Sequence, residues 1–241
     1  MKRVMIATGG TGGHIYPATA LAEILKKEQP GCEIRIFGSS NRMEAELIPA
    51  LGYRFYGAEM TGMNGGLKAK LSSAGSLLKA SRQCRKILKE FRPDICVGFG
   101  NYISVPLILT ARQLKIPALL HEQNSYAGKA NVMLGRFCDG AAICYESSAK
   151  QFPAGKTRII GNPEATKAAS EPADPALLRE YGLDPEVPFV LMMMGSLGSS
   201  SVSRIIDEAC ALLDDSFQVL IAAGKANDYI FQNTFQIHQS Q

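Results

Sequence analysis

The chain repeats one pattern along most of its length: a short apolar run, a stretch with helical spacing, and then another apolar run. The apolar runs are partly β-branched and do not alternate with polar residues, which is typical of strands buried on both faces of a parallel sheet. Between the first two runs, Pro17 marks the place where a helix is expected to begin. This βαβ order predicts an α/β fold with a doubly wound, Rossmann-like parallel sheet. The apolar runs of this first region span residues 3–8, 33–38, 94–100, 117–123, 140–145 and 156–161.

The composition of the sequence changes after residue 161. Residues 162–188 contain five prolines and few large apolar side chains, which predicts a linker followed by a short helix. A second βαβ pattern then starts, and one βαβ unit cannot cover both faces of its own sheet. We therefore expect a first domain over residues 1–162, a linker over 163–186 and an incomplete second Rossmann-like domain over 187–241.

Composition excludes several classes of protein. With 46% hydrophobic and 20% charged residues the chain can form a globular core, and it has no apolar run of about 18 residues that would cross a membrane. The N-terminus reaches glycine too early for a signal peptide, so we expect a cytoplasmic location. The six cysteines form no C-x-x-C pair and have no histidine at metal-ligand spacing, which predicts reduced thiols and no metal site.

The segment "ATGGTGGHIYP" follows the first apolar run and contains four glycines. It is not a G-x-G-x-x-G fingerprint, because Ile15 stands where the third glycine belongs, and it lacks the Gly-Lys-Ser/Thr of a P-loop. A strand, a glycine-rich turn and a helix N-terminus remain, and this combination suits a phosphate group. His14 lies at the mouth of the turn and could accept a proton near neutral pH. The alternatives are a turn without ligand and a structural histidine.

Three further features come directly after predicted strands. The segment "HEQN", residues 121–124, places the carboxylate of Glu122 and two amides at a strand end, although a solvated loop would explain them equally well. The segments 98–106 and 194–200 repeat the order of strand, glycine turn and helix start, and Ser196 adds a hydroxyl group. Three such turns together favour a ligand with a diphosphate, held between the two predicted domains.

Positive charge is concentrated in residues 61–92, which hold eight Lys or Arg against one acid in a chain of net charge +4. This clustering indicates an anionic partner surface rather than a generally basic protein, and we expect no nucleic-acid partner. A helix with a solvated basic face is one interpretation. The other is a patch that contacts an anionic membrane surface through apolar and basic side chains. The residues of that patch are Leu67, Lys68, Leu71, Leu78, Lys79, Arg82, Lys86 and Lys89.

At these same segments the chain resembles the MurG family, UDP-N-acetylglucosamine:N-acetylmuramyl-(pentapeptide) pyrophosphoryl-undecaprenol N-acetylglucosamine transferases. The matching segments occur in order between residue 3 and about residue 224. They read "GGTGGHIYPATALA", "NRMEAELIP", "TGMNGGLKAKL", "GFGNYISVP", "LHEQNSYAGKAN", "IIGNP" and "MGSLGSS".

The resemblance implies a two-domain glycosyltransferase of the GT-B type, with an N-terminal domain that faces acceptor and membrane and a C-terminal domain that binds the UDP-sugar. It implies transfer of N-acetylglucosamine from UDP-N-acetylglucosamine to the C4 hydroxyl of the muramyl sugar of undecaprenyl-linked lipid I. The anomeric carbon is inverted, and the product is lipid II for peptidoglycan. Such enzymes are peripheral proteins of the cytoplasmic membrane face, and no obligatory metal or other cofactor is implied.

The resemblance also implies roles for individual residues. His14 matches the general base, and Glu122 matches a functionally important acid that we expect to be catalytic. Inverting transfer needs one base on the attacking hydroxyl, while a helix dipole can stabilise the departing diphosphate. The residues implied to approach the donor and its phosphates are Thr11, Gly12, Gly13, Asn124 and Ser196.

The chain departs from the family pattern at two positions. Ala165 stands where some members have Arg, and Leu197 replaces the Gln of "GGSQGA", so the grip on the donor is expected to differ. Because much of the donor domain is missing from these 241 residues, we expect little or no transferase activity from the chain alone. Two alternatives stay open: a related UDP-sugar glycosyltransferase with another acceptor, and a non-catalytic membrane-binding remnant.

Overall fold

The structure is a computed structural model that describes residues 2–60, 67–170, 172, 174–194, 198–213, 216–224 and 228–232, with side chains for all of these except 67–71. The chain divides into two compact units, Met1–Glu171 and Pro172–Gln241. The predicted site residues that the structure describes all belong to the first unit.

In the described part of the first unit, seven strands form one sheet. They are β1 Arg3–Ala7, β2 Glu33–Ser39, β3 Arg54–Ala58, β4 Ile95–Gly98, β5 Ala118–Glu122, β6 Gly140–Ile143 and β7 Thr157–Ile159. The strand order is β3-β2-β1-β4-β5-β6-β7, and every neighbouring pair is parallel. This arrangement confirms the predicted doubly wound sheet.

Helices pack against the two faces of this sheet and are connected to the strands by short loops. They are α1 Gly12–Glu28, α2 Glu44–Ala50, α3 Leu67–Phe91, α4 Ser104–Gln113, α5 Lys129–Leu134, α6 Glu146–Ala149 and α7 Pro163–Ser170. Alternate residues of β1 point to opposite faces: Met5 belongs to the core beside α3 and α4, whereas Ile6 belongs to the core beside α1. Because both faces are buried, the strands read as continuous apolar runs.

Sequence analysis missed β3. This edge strand pairs only with β2 in the described sheet, and four of its five residues are exposed or half-buried. Its sequence "RFYGA" contains an arginine and a glycine, so it lacks the continuous apolar run that indicates a buried strand.

The order of the strands fixes where a ligand can bind. From β1 the chain runs through β2 to β3 at one edge, and α3 then carries it back so that β4 lies on the other side of β1. The connections therefore diverge between β1 and β4, and in open α/β sheets ligands bind at such a switch point, beyond the carboxyl ends of the strands.

The first unit extends past the expected boundary at residue 162. Residues 163–170, which we expected to be a linker, form α7, and this helix packs against α1. Lys167 of α7 makes an ion pair of 2.8 Å with Glu23 of α1. The prolines of this region predicted a linker, and that prediction was wrong. Pro163 occupies the first position of the helix, where the missing N–H of proline removes no intrahelical hydrogen bond.

The second unit contains the predicted βαβ pattern, with a short helix in front of it. The elements are α8 Pro175–Glu180, β8 Phe189–Met193, α9 Ser200–Cys210 and β9 Gln218–Ala222. The two strands are parallel and pair only with each other in the described residues. Several of their apolar side chains are exposed: Leu191 is 49% exposed and Met193 is 72% exposed.

Candidate functional site

The glycine-rich loop connects β1 to α1 at the switch point. Gly9 and Gly10 have φ angles of 150° and 88°, which non-glycine residues rarely adopt, and the loop ends at Thr11 in an extended conformation. The helix begins at Gly12, five residues before the position predicted from Pro17, which instead lies inside the helix. Starting the helix earlier brings its free N–H groups close to the carboxyl end of β1.

His14 lies in the first turn of α1 and is half-buried. Its Nδ1 is 3.0 Å from the hydroxyl oxygen of Thr11, so these two groups share one hydrogen bond whose direction depends on the tautomer. The Thr11 hydroxyl does not cap the helix and instead orients the imidazole. The backbone carbonyl of His14 also accepts a hydrogen bond of 2.7 Å from the Thr8 hydroxyl. This hydrogen bond joins the start of the glycine-rich loop to the first turn of α1.

Burial lowers the pKa of His14 from its ordinary value of 6.5. The negative charges of Glu122 and Glu44 oppose this shift, but desolvation is the larger effect. The imidazole is therefore neutral at neutral pH and has one ring nitrogen free to accept a proton. When Nδ1 donates to Thr11, that free nitrogen is Nε2.

The loop between β4 and α4 leaves room for the imidazole. Gly100 has φ = 87°, and a side chain there would place its Cβ 3.3 Å from Nε2 of His14 and 3.2 Å from Nδ2 of Asn131. Asn101 follows at φ = 64°, a conformation that asparagine tolerates better than most residues, and its Oδ1 accepts the Tyr102 N–H at 2.7 Å. A glycine is thus required where the β1, β4 and β5 loops meet.

Glu122 is the last residue of β5 and is only 1% exposed. Its Oε1 accepts hydrogen bonds from the backbone N–H and the side-chain amide of Asn124, both at 2.9 Å. Its Oε2 accepts from the Gly128 N–H and the Asn131 side-chain amide, also at 2.9 Å. Four donors therefore converge on one buried carboxylate, which holds the loop from residue 123 to the start of α5 in one shape.

Asn131 is a site residue that sequence analysis missed. It is 2% exposed, donates to the His121 carbonyl and to Glu122, and lies beside His14 at Gly100. Its side-chain oxygen is buried and has no hydrogen-bond partner among the residues that the structure describes. A signal was present, because Asn131 closes the quoted segment "LHEQNSYAGKAN", but an asparagine inside a short helix looks like an ordinary surface residue.

His121 precedes Glu122 on β5 and serves the fold. It is 2% exposed, stacks on Phe99 with ring centroids 5.0 Å apart, and its Nε2 lies 3.1 Å from the Gly161 carbonyl. Because a carbonyl can only accept, Nε2 carries the proton in this hydrogen bond. Burial lowers the pKa of His121, so the ring stays neutral.

The structure brings together most of the residues that the sequence proposed for the site. Thr11, Gly12, Gly13 and His14 line one side of the switch point, and Glu122 and Asn124 lie at the end of β5 on the same sheet edge. Ser196 and Leu197 lie outside the described residues. Ala165 is an exposed residue of α7.

The arrangement can accept a proton and bind an anion. A neutral imidazole stands beside the N-terminus of a 17-residue helix, whose dipole favours negative charge. Among the residues that the structure describes, no group of three or more His, Cys, Asp or Glu could hold a metal ion.

Comparison with protein families identifies the family of the chain. Residues 4–143 match the model of the glycosyltransferase family 28 N-terminal domain, so the chain belongs to glycosyltransferase family 28.

Among curated relatives, the chain is similar to the UDP-N-acetylglucosamine–N-acetylmuramyl-(pentapeptide) pyrophosphoryl-undecaprenol N-acetylglucosamine transferase of an Exiguobacterium species. The two are 39% identical over 228 residues, which is 93% of this chain and 63% of the relative. The enzyme of the same name from Latilactobacillus sakei is 38% identical over 229 residues. The chain thus spans less than two thirds of the length of these relatives.

Solved structures give the same result for the fold. The crystal structure of Acinetobacter baumannii MurG superposes with a TM-score of 0.67 at 26% identity, covering 93% of this chain and 59% of that one. The calicheamicin glycosyltransferase CalG4 superposes with a TM-score of 0.61 at 15% identity, covering 95% of this chain and 66% of the other, and this likeness concerns the fold alone. The predicted GT-B type of fold is confirmed.

Proposed function

We propose that the protein to which this chain belongs transfers N-acetylglucosamine from UDP-N-acetylglucosamine to the C4 hydroxyl of the muramyl sugar of lipid I. The names of the relatives supply the substrates, and the site supplies a mechanism for inverting transfer. One observation carries the proposal: a neutral, half-buried imidazole is oriented by Thr11 at the sheet's switch point, beside the N-terminus of α1.

In this mechanism His14 acts as general base. The acceptor oxygen attacks the anomeric carbon of the donor sugar, Nε2 of His14 takes the hydroxyl proton, and the bond from the anomeric carbon to the diphosphate oxygen breaks. The electron pair of that bond leaves with UDP. A base at this position contributes about 10²- to 10⁴-fold to the rate in typical enzymes.

The start of α1 offers N–H groups to a phosphate. The carbonyl of Thr11 accepts the N–H groups of both His14 and Ile15, so the intrahelical ladder begins there. Gly12 and Gly13 precede the ladder, and because they lack side chains an anion can approach the backbone closely. The proposed donor or acceptor diphosphate would bind here, with Asn124 at the rim.

The proposed function is tested by joining this chain to the C-terminal portion that its relatives have and measuring transfer. We expect a chimera completed with that portion of the Exiguobacterium enzyme to move radiolabelled N-acetylglucosamine onto a lipid I analogue, and the 241-residue chain alone to be at least about 100-fold slower, because half of an assembled site cannot position the donor. Transfer to an unrelated lipid acceptor, but not to lipid I, would contradict the proposal. So would an inactive chimera, if the parent relative is active in the same assay.

We further propose that α3 contacts the cytoplasmic face of an anionic membrane. Leu78 is 53% exposed, and the basic residues predicted for the patch, Lys79, Arg82, Lys86 and Lys89, are exposed on the same helix, as are Arg85 and Glu90. The opposite side, including Ala80, Cys84 and Leu88, is buried against the sheet. The side chains of Leu67, Lys68 and Leu71 lie outside the described residues, although their backbone forms the first turns of α3.

The end of α3 adds a groove to this surface. Its volume is about 430 Å³, and its lining combines the cations of Lys89 and Arg92 with apolar side chains of α3 and of the residues just after α4. Basic and apolar groups side by side suit the boundary between lipid headgroups and acyl chains. None of the helices in the described ranges is long and apolar enough to cross a bilayer. The membrane contact that we propose is peripheral.

Removing two charges from α3 should weaken vesicle binding strongly. We expect the double variant Arg82→Gln/Lys86→Gln to bind phosphatidylglycerol vesicles about 30-fold more weakly, because each basic residue near an anionic surface contributes about 1 kcal/mol. Co-sedimentation at low salt measures this, and high salt should abolish it. The control, Lys27→Gln/Lys150→Gln, removes two exposed charges elsewhere on the first unit. Equal losses in both variants would contradict a specific role of α3.

A further inference from the structure

Glu44 is a buried acid that the proposed mechanism does not use. It is the first residue of α2, its side chain is 0% exposed, and it stands 34 residues away in sequence from the glycine-rich loop. Burying a carboxyl group is costly unless its oxygens accept hydrogen bonds. Its partners therefore indicate what it does.

The carboxylate joins the ends of two neighbouring strands. Its Oε1 accepts the N–H of Ser39, the last residue of β2, and its Oε2 accepts the N–H of Gly10, in the loop after β1; both distances are 3.0 Å. A carboxyl group can accept on both oxygens at once, whereas an amide side chain has only one acceptor. The two hydrogen bonds thus fix the glycine-rich loop to the end of β2.

Two glycines make room for this side chain. A Cβ on Gly38 would lie 2.9 Å from Cγ of Glu44, and a Cβ on Gly9 would overlap the carboxylate itself. Gly9 also has a φ of 150°. Two constraints therefore require glycine at position 9: the positive φ angle and the space that the carboxylate of Glu44 occupies.

We propose that Glu44 is a positioning residue of the transferase site: it holds the glycine-rich loop so that Thr11 can orient His14 and the first N–H groups of α1 face the ligand. This proposal rests on the proposed function, because the orientation of His14 and of the α1 N–H groups matters for catalysis only if this site transfers the sugar. Because Glu44 occupies the Gly10 N–H, the loop offers an incoming phosphate the N–H groups of Gly12 and Gly13 instead. Its charge also acts on His14 together with that of Glu122, which faces the imidazole from the end of β5.

The test compares Glu44→Gln with Glu46→Gln in the 241-residue chain, without donor or acceptor. Glu46 is exposed in the same first turn of α2, so the control removes the same charge from the same helix. In Glu44→Gln we expect amide hydrogen exchange at Gly10 or at Ser39 to accelerate at least about tenfold, because the two N–H groups bind different oxygens of Glu44 and glutamine turns an NH₂ group toward one of them. The midpoint of the His14 ring titration, followed by NMR, should also move to lower pH. In Glu46→Gln we expect exchange within about twofold of the unsubstituted chain.

Unchanged exchange at both Gly10 and Ser39 in Glu44→Gln, or equal acceleration in both variants, would overturn the proposal. If Glu44→Gln does not fold, the unsubstituted chain decides: Gly10 and Ser39 must both exchange at least about 100-fold more slowly than an unstructured peptide, and a Gly10 N–H that exchanges freely overturns the proposal. Neither measurement involves sugar transfer. The positioning role can therefore fail while the transferase function stands, and the reverse is equally possible.

Discussion

Replacing Glu122 with Gln should lower the free energy of unfolding of the first unit by about 3 kcal/mol, well above the roughly 1 kcal/mol of an average substitution. The carboxylate receives four hydrogen bonds, two on each oxygen. Glutamine keeps one acceptor oxygen and turns an NH₂ group toward two of the donors, which leaves them unsatisfied in a buried place. Urea unfolding, followed by fluorescence or circular dichroism, measures the change.

The control for this prediction is Glu146→Gln. Glu146 is exposed at the start of α6, on the same edge of the sheet, and its replacement removes the same charge. We expect its free energy of unfolding to stay within about 0.5 kcal/mol of the unsubstituted chain. Equal stability of Glu122→Gln and Glu146→Gln would contradict the loop-holding role. In that case the buried carboxylate would have to be explained by chemistry alone.

This prediction also refines the role expected of Glu122. A catalytic acid or base must reach the reacting atoms, but both oxygens of Glu122 are already engaged and the side chain is almost fully buried. We propose that Glu122 positions the loop that carries Asn124 and Asn131. Its charge reaches the reaction through His14, whose pKa it raises against the stronger effect of burial.

Replacing His14 with Gln in the completed chimera should reduce kcat by about 10²- to 10⁴-fold and leave KM for the donor nearly unchanged, because only the proton transfer is lost. A glutamine in the first turn of α1 keeps the helix and a polar side chain but cannot accept a proton at neutral pH. Transfer of labelled sugar to the lipid I analogue measures both constants. Lys27→Gln, near the far end of the same helix, serves as the control and should change kcat by less than about twofold.

The pH dependence gives a second test of the same assignment. Because the pKa of His14 lies below 6.5, kcat/KM should be flat near neutral pH and fall on the acid side with a midpoint below that value, where the ring becomes protonated and can no longer act as base. The His14→Gln variant should lose this acid limb. Unchanged turnover, or an acid limb that persists in the variant, would rule out His14 as the base.

The sequence predicted the parallel sheet and the region of the site because both depend on local patterns. Buried strands such as β1 and β5 are nearly pure apolar runs, and the residues directly after a strand of a parallel sheet must lie at its carboxyl edge. The glycine-rich segment and the histidine that ends it could thus be assigned to one place. The same reasoning put Glu122 and Asn124 at the same edge.

The remaining site residues depend on contacts between distant segments, which no local pattern records. Glu44 belongs to α2, yet one of its hydrogen bonds goes to a loop 34 residues away. Asn131 lies in α5, and the spacing of residues in that helix does not indicate that Asn131 donates a hydrogen bond to Glu122. Gly100 is explained only once the imidazole of His14 is seen beside it. Such residues become visible when the strand order is known, because that order decides which loops meet.

The attachment of α7 to α1 determines how the first unit can be produced on its own. A polypeptide that stops at residue 162 would end before α7, strip one side of α1 of its covering helix and leave Glu23 without the ammonium group of Lys167. One that continues to residue 171 keeps that helix in place. To produce this unit for spectroscopy or crystallisation, the stop codon should therefore be placed about nine codons after residue 162, the boundary that the proline-rich composition suggests.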